Sequence, residues 1–346
     1  MPDVSWALGR ATELAERGPQ HGGNPRVGCV LLAADGAVVS EGWHGGAGTA
    51  HAEAAALAGA DPARLRGATA VVTLEPCHHS GRTPPCSRAL HAAGIARVVH
   101  AVGDPDPVAS GGARWLAGQG VDVLTAEDAG VPVDVTGRAA RVSAAWVTAM
   151  RRRRPWVVGK SAMSLDGRVA AADGTSRWIT GAAARTHAHT VRADVDAVVV
   201  GTGTVLTDDP ALTARRADGT LACHQPLRVV VGRRAVPPGA ALRQAPGDWL
   251  HLPTRDLRAA LDQLWDAGVR RVLVEGGPTL LSRALREHLV DELHAYLAPV
   301  LLGGGLPAVT DLGVSTLAGA PRWRPVTTRT LGEDLLVVAH RPEGDL

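Results

Sequence analysis

The sequence predicts two successive α/β domains. Strand-length apolar runs, most of them rich in valine, alternate with amphipathic stretches of helical length along the chain. At 346 residues the chain exceeds a single domain of roughly 150 residues. The run RRRRP at Arg151–Pro155 breaks the alternation, and its proline stops the helix before it. The boundary is placed there, giving domains 1–150 and 151–346.

In the first domain SWALGRATELAER reads as an opening helix, and VGCVLLAADGAVVSEGW as a hairpin with ADGA at its turn. AEAAALAGA is a helix, ATAVVTLEP a strand, CSRALHAAG a helix, ARVVHAV a strand, GARWLAGQG a helix and VDVLTA a strand. A single long helix, VTGRAARVSAAWVTAM, closes a three-layer α/β domain. The arginine run after it reads as a solvated linker or helix end rather than a nucleic-acid patch.

In the second domain WVVGKSAMSLDGRVA is a strand leading to a turn, and AAARTHAHTVRADV a helix. DAVVVGTGTV is a buried strand ending in a glycine-rich turn. LRVVVG, RRVLVEGG and ELHAYLAPVLL supply further strands, with RDLRAALDQLWDAG and PTLLSRALREHLV as helices, so a second open α/β sheet is expected.

The net charge of +2, with 20% charged residues of both signs, creates no field that would draw nucleic acid or a membrane surface. Small molecules and a second copy of the chain are the expected partners. The N-terminus lacks a basic segment followed by an apolar run, and nothing reaches the roughly 18 apolar residues of a membrane span. A soluble, cytoplasmic protein is expected. Four cysteines are too few for a disulfide scaffold. Lys160 is the only lysine and Asn24 the only asparagine, although arginine and aspartate are common. Such survivors are either positions where the substitute cannot do the chemistry or chance remnants.

TLEPCHHSGRTPPC, Thr73–Cys86, admits a disulfide loop or a metal site. His51 opens a predicted helix in HAE, and Cys77 closes a strand in PC and leads to Cys86. One imidazole and two thiolates make three ligands of a tetrahedral zinc and leave the fourth position to water, the pattern of a catalytic site. Glu53, two residues after the histidine, can carry the water's proton to a leaving amine without being a ligand. His78 and His79 are rivals for ligation. Adjacent side chains of an extended segment point apart, which argues against His78; a substrate contact suits His79, and His91 reads as structural. Zinc deaminases carry H-x-E with P-C-x-x-C. Here eight residues separate the cysteines instead of two.

The second half has no G-x-G-x-x-G; GTGTVL holds only its first two glycines. VLVEGGPTLL places two glycines between a buried strand and a helix N-terminus, which suits a phosphate or an ordinary strand-to-helix turn.

HAE with TLEPCHHSGRTPPC, the upstream NPRVGCV and the downstream DPDP resemble the deaminase half of the bifunctional riboflavin-biosynthesis deaminase/reductases. KSAMSLDGRVA, SRWIT, VRADVDAVVVGTGTVLTDDPALTAR, VEGGPTL and APVLLGG resemble the reductase half. The resemblance implies a cytidine-deaminase-like three-layer α/β/α domain and a dihydrofolate-reductase-like α/β domain. It implies one zinc per deaminase domain, NADPH, and a homodimer or homotetramer through the C-terminal domain. The reactions implied are removal of the 2-amino group from a phosphoribosylaminopyrimidine, then reduction of its ribose to ribityl.

By matched motif, Glu53 and Lys160 are catalytic and His51, Cys77 and Cys86 hold the metal. Asn24, His44, His79, Asp104, Ser176, Arg192, Leu212, Arg215 and Glu275 bind substrate, with the arginines expected to face the sugar phosphate as bidentate forks. Ala162, Trp178, Thr204, Asp208, Gly277, Pro278, Thr279 and Leu280 bind the cofactor. Asp106 replaces the family's usual asparagine in DPNP. Arg233 replaces a serine or threonine near the NADPH 2′-phosphate, and a strand with its connection is expected to be missing before Glu275. Alternative readings are a monofunctional deaminase with a degenerate, dimerising second domain, and a nucleic-acid base deaminase binding through RRRR, which the eight-residue spacing argues against. A structural zinc module would need a fourth ligand from His78 or His79.

Overall fold

The computed structural model describes residues 2–79 and 84–342. The chain divides into two compact units, Met1–Arg153 and Arg154–Leu346.

The first unit is built on β1 (Gly28–Leu32), β2 (Val38–Trp43), β3 (Thr69–Leu74), β4 (Arg97–Val102) and β5 (Asp122–Thr125), in the order β2-β1-β3-β4-β5. The first two pairings are antiparallel, and β3, β4 and β5 run parallel. Its helices are α1 (Val4–Ala15), α2 (Ala52–Ala58), α3 (Cys86–Ala92), α4 (Gly112–Gly118), α5 (Val133–Val142) and α6 (Ala144–Arg152). Strand alternation sorts the core into two layers. Val30, Leu32, Val71 and Val99 pack with Leu8, Ala11 and Leu14 of α1 and Ala139 of α5. Cys29, Leu31, Ala70, Val72 and Val98 pack on the other face with Ala52 and Ala56 of α2, Leu90 of α3 and Leu116 of α4. The unit is therefore three-layered, α/β/α.

The single closing helix is corrected by the structure. It breaks at Ser143, whose φ of −108° and ψ of 9° leave the helical region. There the serine hydroxyl donates to the carbonyl of Arg26 at 2.6 Å, a bond that competes with helix continuation. The second half of that helix ends at Arg152, before the left-handed Arg153.

The second unit carries β6 (Trp156–Ser164), β7 (Arg168–Ala170), β8 (Ala197–Gly201), β9 (Leu227–Val231), β10 (Trp249–Leu252), β11 (Arg271–Val274), β12 (Glu292–Ala298), β13 (Leu306–Pro307), β14 (Arg324–Leu331) and β15 (Asp334–His340). Eight of these form one sheet, β10-β9-β8-β11-β6-β12-β15-β14, while β7 and β13 form a small ribbon. From β10 to β12 the strands are parallel, and the last two are antiparallel. The helices are α7 (Ala182–Ala193), α8 (Thr202–Asp208), α9 (Ala241–Gln244), α10 (Leu257–Asp266) and α11 (Pro278–Arg286). One face of the sheet buries Val157, Val199, Val229 and Val274 against Leu257, Leu261 and Leu264 of α10 and Leu281 of α11.

Two expectations change here. The glycine-rich GTGTV does not form a turn but winds into α8 directly after β8. WLHL before α10 forms the edge strand β10, so a strand is present where one was expected to be missing.

Candidate active sites

In the first unit three elements converge. His51 is the N-cap residue of α2, with extended backbone and a ring that makes no capping hydrogen bond to the helix. Cys77 follows the end of β3, and Cys86 is the first residue of α3. Nδ1 of His51 lies 3.6 Å from Sγ of Cys77 and 3.4 Å from Sγ of Cys86. The three donor atoms lie within 4.8 Å of one another, and neither cysteine is in a disulfide. Two soft sulfurs and one imidazole nitrogen at this spacing fit zinc. Hydrogen bonding from Cys86 and from His51 holds the Cys77 thiol well below the usual thiol range, despite burial. The bond to that thiolate and burial push Cys86 up, so the pair shares one proton that a metal would expel.

Glu53 lies in the first turn of α2 and is 3% exposed. Burial pushes its carboxyl up to about 7, against backbone hydrogen bonding. His44 is buried with its Nδ1 3.0 Å from the Ala50 carbonyl and its ring edge-on to His51. His78 turns away from the cluster. Its Nδ1 meets Ser87 Oγ at 2.9 Å, and its ring stacks on Trp115, which His91 also meets edge-on. His79 has a buried Nδ1 with no hydrogen-bond partner among the described residues.

Burial pushes the Asp104 carboxyl up to about 6. Its Oδ1 accepts from the Asp106 amide at 2.9 Å, and Asp106 Oδ1 accepts from the Val108 amide at 2.9 Å. The second bond needs only an acceptor, which aspartate and asparagine both provide.

In the second unit a cleft of about 1110 Å³ opens at the carboxyl ends of the parallel strands. Ligands of open α/β sheets bind at this edge. Lys160 and Ala162 of β6, Thr204 and Asp208 of α8, and Ser176 line it, as do Glu275, Gly277, Pro278, Thr279 and Leu280 between β11 and α11. Glu275 takes the Arg192 fork, Nε to Oε2 and Nη2 to Oε1, both at 2.7 Å, and Lys160 Nζ at 3.5 Å. Burial pushes the Glu275 carboxyl up, and the charges of Arg192 and Lys160 more than offset it, holding it at about 2.

The cleft also fits a dinucleotide phosphate. Gly201 and Gly277 leave bare backbone on its floor, where an added Cβ would meet nothing closer than 4.0 Å and 3.7 Å. Arg233, Arg234 and Arg255 stand at its rim.

Residues 155–337 match the RibD C-terminal domain family, and residues 1–102 match the cytidine and deoxycytidylate deaminase zinc-binding region. A Mycobacterium tuberculosis riboflavin biosynthesis protein RibD is 45% identical over 90% of this chain and 90% of its own length. The chain belongs to the RibD family. RibD proteins are bifunctional deaminase/reductases of riboflavin biosynthesis that use zinc and NADPH, and this chain holds both domains. A RibD structure from Acinetobacter baumannii is 35% identical, with a TM-score of 0.86, covering 98% of this chain and 99% of that one. A Thermotoga maritima diaminohydroxyphosphoribosylaminopyrimidine deaminase/5-amino-6-(5-phosphoribosylamino)uracil reductase is 31% identical, with a TM-score of 0.84 and the same coverage.

Within this RibD frame some expected contacts fall elsewhere. Trp178 does not line the cleft. It is 70% exposed, lies 4.6 Å from the Arg185 guanidinium, and borders a separate hollow of about 650 Å³ with Asp334. The Arg192 fork, expected to face a sugar phosphate, holds Glu275 instead. Leu212 is buried with a φ of 55°, and Arg215 reaches back to the Gly219 carbonyl; neither lines the cleft.

Supporting residues went unnoticed in the sequence. Trp146 Nε1 donates to the Gly23 carbonyl at 2.9 Å, and Ser143 holds that of Arg26, so both sides of Asn24 are braced. Glu75 accepts from the amides of Asp104, Gly111 and Ala113 at 3.0–3.2 Å, tying the DPDP turn to α4. The break in the α5–α6 sequence at a serine was the only available signal for the first. The E of TLEPC was the signal for the second.

Proposed function

We propose that residues 1–150 remove the 2-amino group of 2,5-diamino-6-ribosylamino-4(3H)-pyrimidinone 5′-phosphate, and that residues 151–346 reduce the ribosyl group of the product to ribityl. The observation that carries this reading is the coexistence in one chain of the His51–Cys77–Cys86 cluster beside buried Glu53 and of Lys160 and Glu275 lining a dinucleotide-sized cleft, with Arg192 paired to Glu275.

In the deaminase, His51, Cys77 and Cys86 would hold the zinc, which would supply a water acidified into the neutral range. Glu53 accepts a proton on its carboxylate and passes it to the leaving amine. Asn24, with one acceptor and one donor, reads the pyrimidine, and His44, His79 and Asp104 contact the substrate.

In the reductase, NADPH supplies the hydride. The Gly277–Leu280 turn and the arginine rim would hold its phosphates, with Ala162, Thr204 and Asp208 along the cleft. Lys160 presents an ammonium to the sugar carbon that changes oxidation state and holds a proton for the opened ring oxygen. Glu275 keeps that nitrogen in place, and Ser176 contacts the substrate. We further propose a homodimer or homotetramer through the second unit, supported by β14, an edge strand exposed along most of its length.

The test is ammonia release from the diamino substrate together with NADPH oxidation by the deaminated product. Ammonia release without any NADPH oxidation would leave a monofunctional deaminase.

A further inference from the structure

Tyr296 is the only tyrosine of the chain and lies on β12, 1% exposed. Its register partner on β6 is Ala162, so Lys160 is its diagonal neighbour on the same face of the sheet. Lys160 Nζ lies 5.8 Å from the centre of the Tyr296 ring, within the range at which a cation is drawn to an aromatic face. Glu275 Oε1 lies 3.5 Å from the same nitrogen. The ammonium thus has a carboxylate and a ring as partners.

The ring is itself held. Its hydroxyl lies 2.8 Å from Nδ1 of His187 on α7, and Ala184 and Leu336 pack with it. Burial, with His294 and Arg329 nearby, pushes the His187 imidazole down, which favours the neutral ring that can accept a hydrogen bond from the phenol. The same helix delivers Arg192 to Glu275. One helix therefore orients both partners of Lys160.

We propose that Tyr296 is a positioning residue for Lys160: its ring face, held in the core by packing with Ala184 and Leu336, confines the flexible lysine stem to the rotamer that presents the ammonium to the cleft. The proposal rests on the reading of Lys160 as the amine at the reducing centre. A neutral ring suits this task, because it attracts the cation without adding a second carboxylate to neutralise it.

The single lysine makes the test direct, since protein grown with ¹³C-lysine gives one set of lysine side-chain signals. The Lys160 ε-protons are expected upfield of an exposed lysine through the ring current. Tyr296→Phe keeps that shift and Tyr296→Leu loses it. Tyr296→Leu lowers kcat for NADPH oxidation on the deaminated substrate roughly tenfold, with the KM for NADPH little changed, while Tyr296→Phe restores most of kcat. Deamination serves as the internal control.

Unshifted ε-protons in the wild type overturn the proposal even if the leucine variant fails to fold. So does wild-type kcat in Tyr296→Leu, or a Tyr296→Phe variant as slow as Tyr296→Leu. Lys160→Met separates the underlying reading: if it reduces substrate at the wild-type rate, Lys160 is not at the reducing centre. If it is inactive while Tyr296→Leu is unimpaired, only the positioning role fails.

Discussion

At the scale of single residues, both sites depend on charges placed where water is scarce. Glu53→Gln preserves the shape of the buried side chain and removes its proton traffic. Zinc content is expected to stay at one per chain while deamination falls by about 10²-fold or more and NADPH oxidation is unchanged; metal analysis beside the two assays checks this. Lys160→Arg keeps a charge but replaces a compact ammonium with a planar fork, and reduction alone should suffer in the same pair of assays. Arg192→Leu leaves Glu275 buried without its main partner, which costs about 3–5 kcal/mol.

The pH dependence follows with its sign. The Glu275 carboxyl is held at about 2 against an ordinary 4.5, so its stabilisation is complete above pH 4.5 and disappears as pH falls through 2. The shift corresponds to ~3 kcal/mol. Protection of the β11 amides from hydrogen exchange, taken relative to the intrinsic rate at each pH, should fall across that window in the wild type and much less in Arg192→Leu.

Among elements, the zinc site depends on how closely a helix approaches a strand end. A Cβ on Gly112, at the start of α4, would fall 1.8 Å from the Pro76 carbonyl oxygen. Gly112→Ala must therefore displace the Pro76–Cys77 segment. Weakening of zinc affinity on the order of 10-fold or more is expected, read by chelator competition, with the second unit unaffected.

Most elements were legible in the sequence because periodicity and turn residues agreed. His51, Glu53, Cys77 and Cys86 were legible because the chemistry demands those types in that order. Other features were not. Ser143 breaks a helix whose apolar pattern runs on, because a hydroxyl finds a carbonyl distant in sequence. GTGTV winds into a helix despite two glycines, and that helix buries Thr202 and Val205. β14 carries no apolar alternation, since nearly every residue is exposed, and only its pairing with β15 defines it. The Arg192 fork read as open to a phosphate because sequence does not show that Glu275 faces it.

On the scale of the whole chain, each of the two compact units carries one of the two proposed constellations, the His51–Cys77–Cys86 group in the first and Lys160 with Glu275 in the second. No helix among the described residues is long and apolar enough to cross a membrane. Removing zinc with a chelator should stop ammonia release and leave NADPH oxidation by the deaminated intermediate intact, with readdition of zinc restoring the first. The most direct measurement is a coupled assay on the purified zinc-loaded protein, supplied with the diamino substrate and NADPH, that follows ammonia and NADPH together. One NADPH should be oxidised for each ammonia released, after a lag set by the intermediate. Ammonia release with no NADPH consumption at any pH would contradict two working sites in one chain.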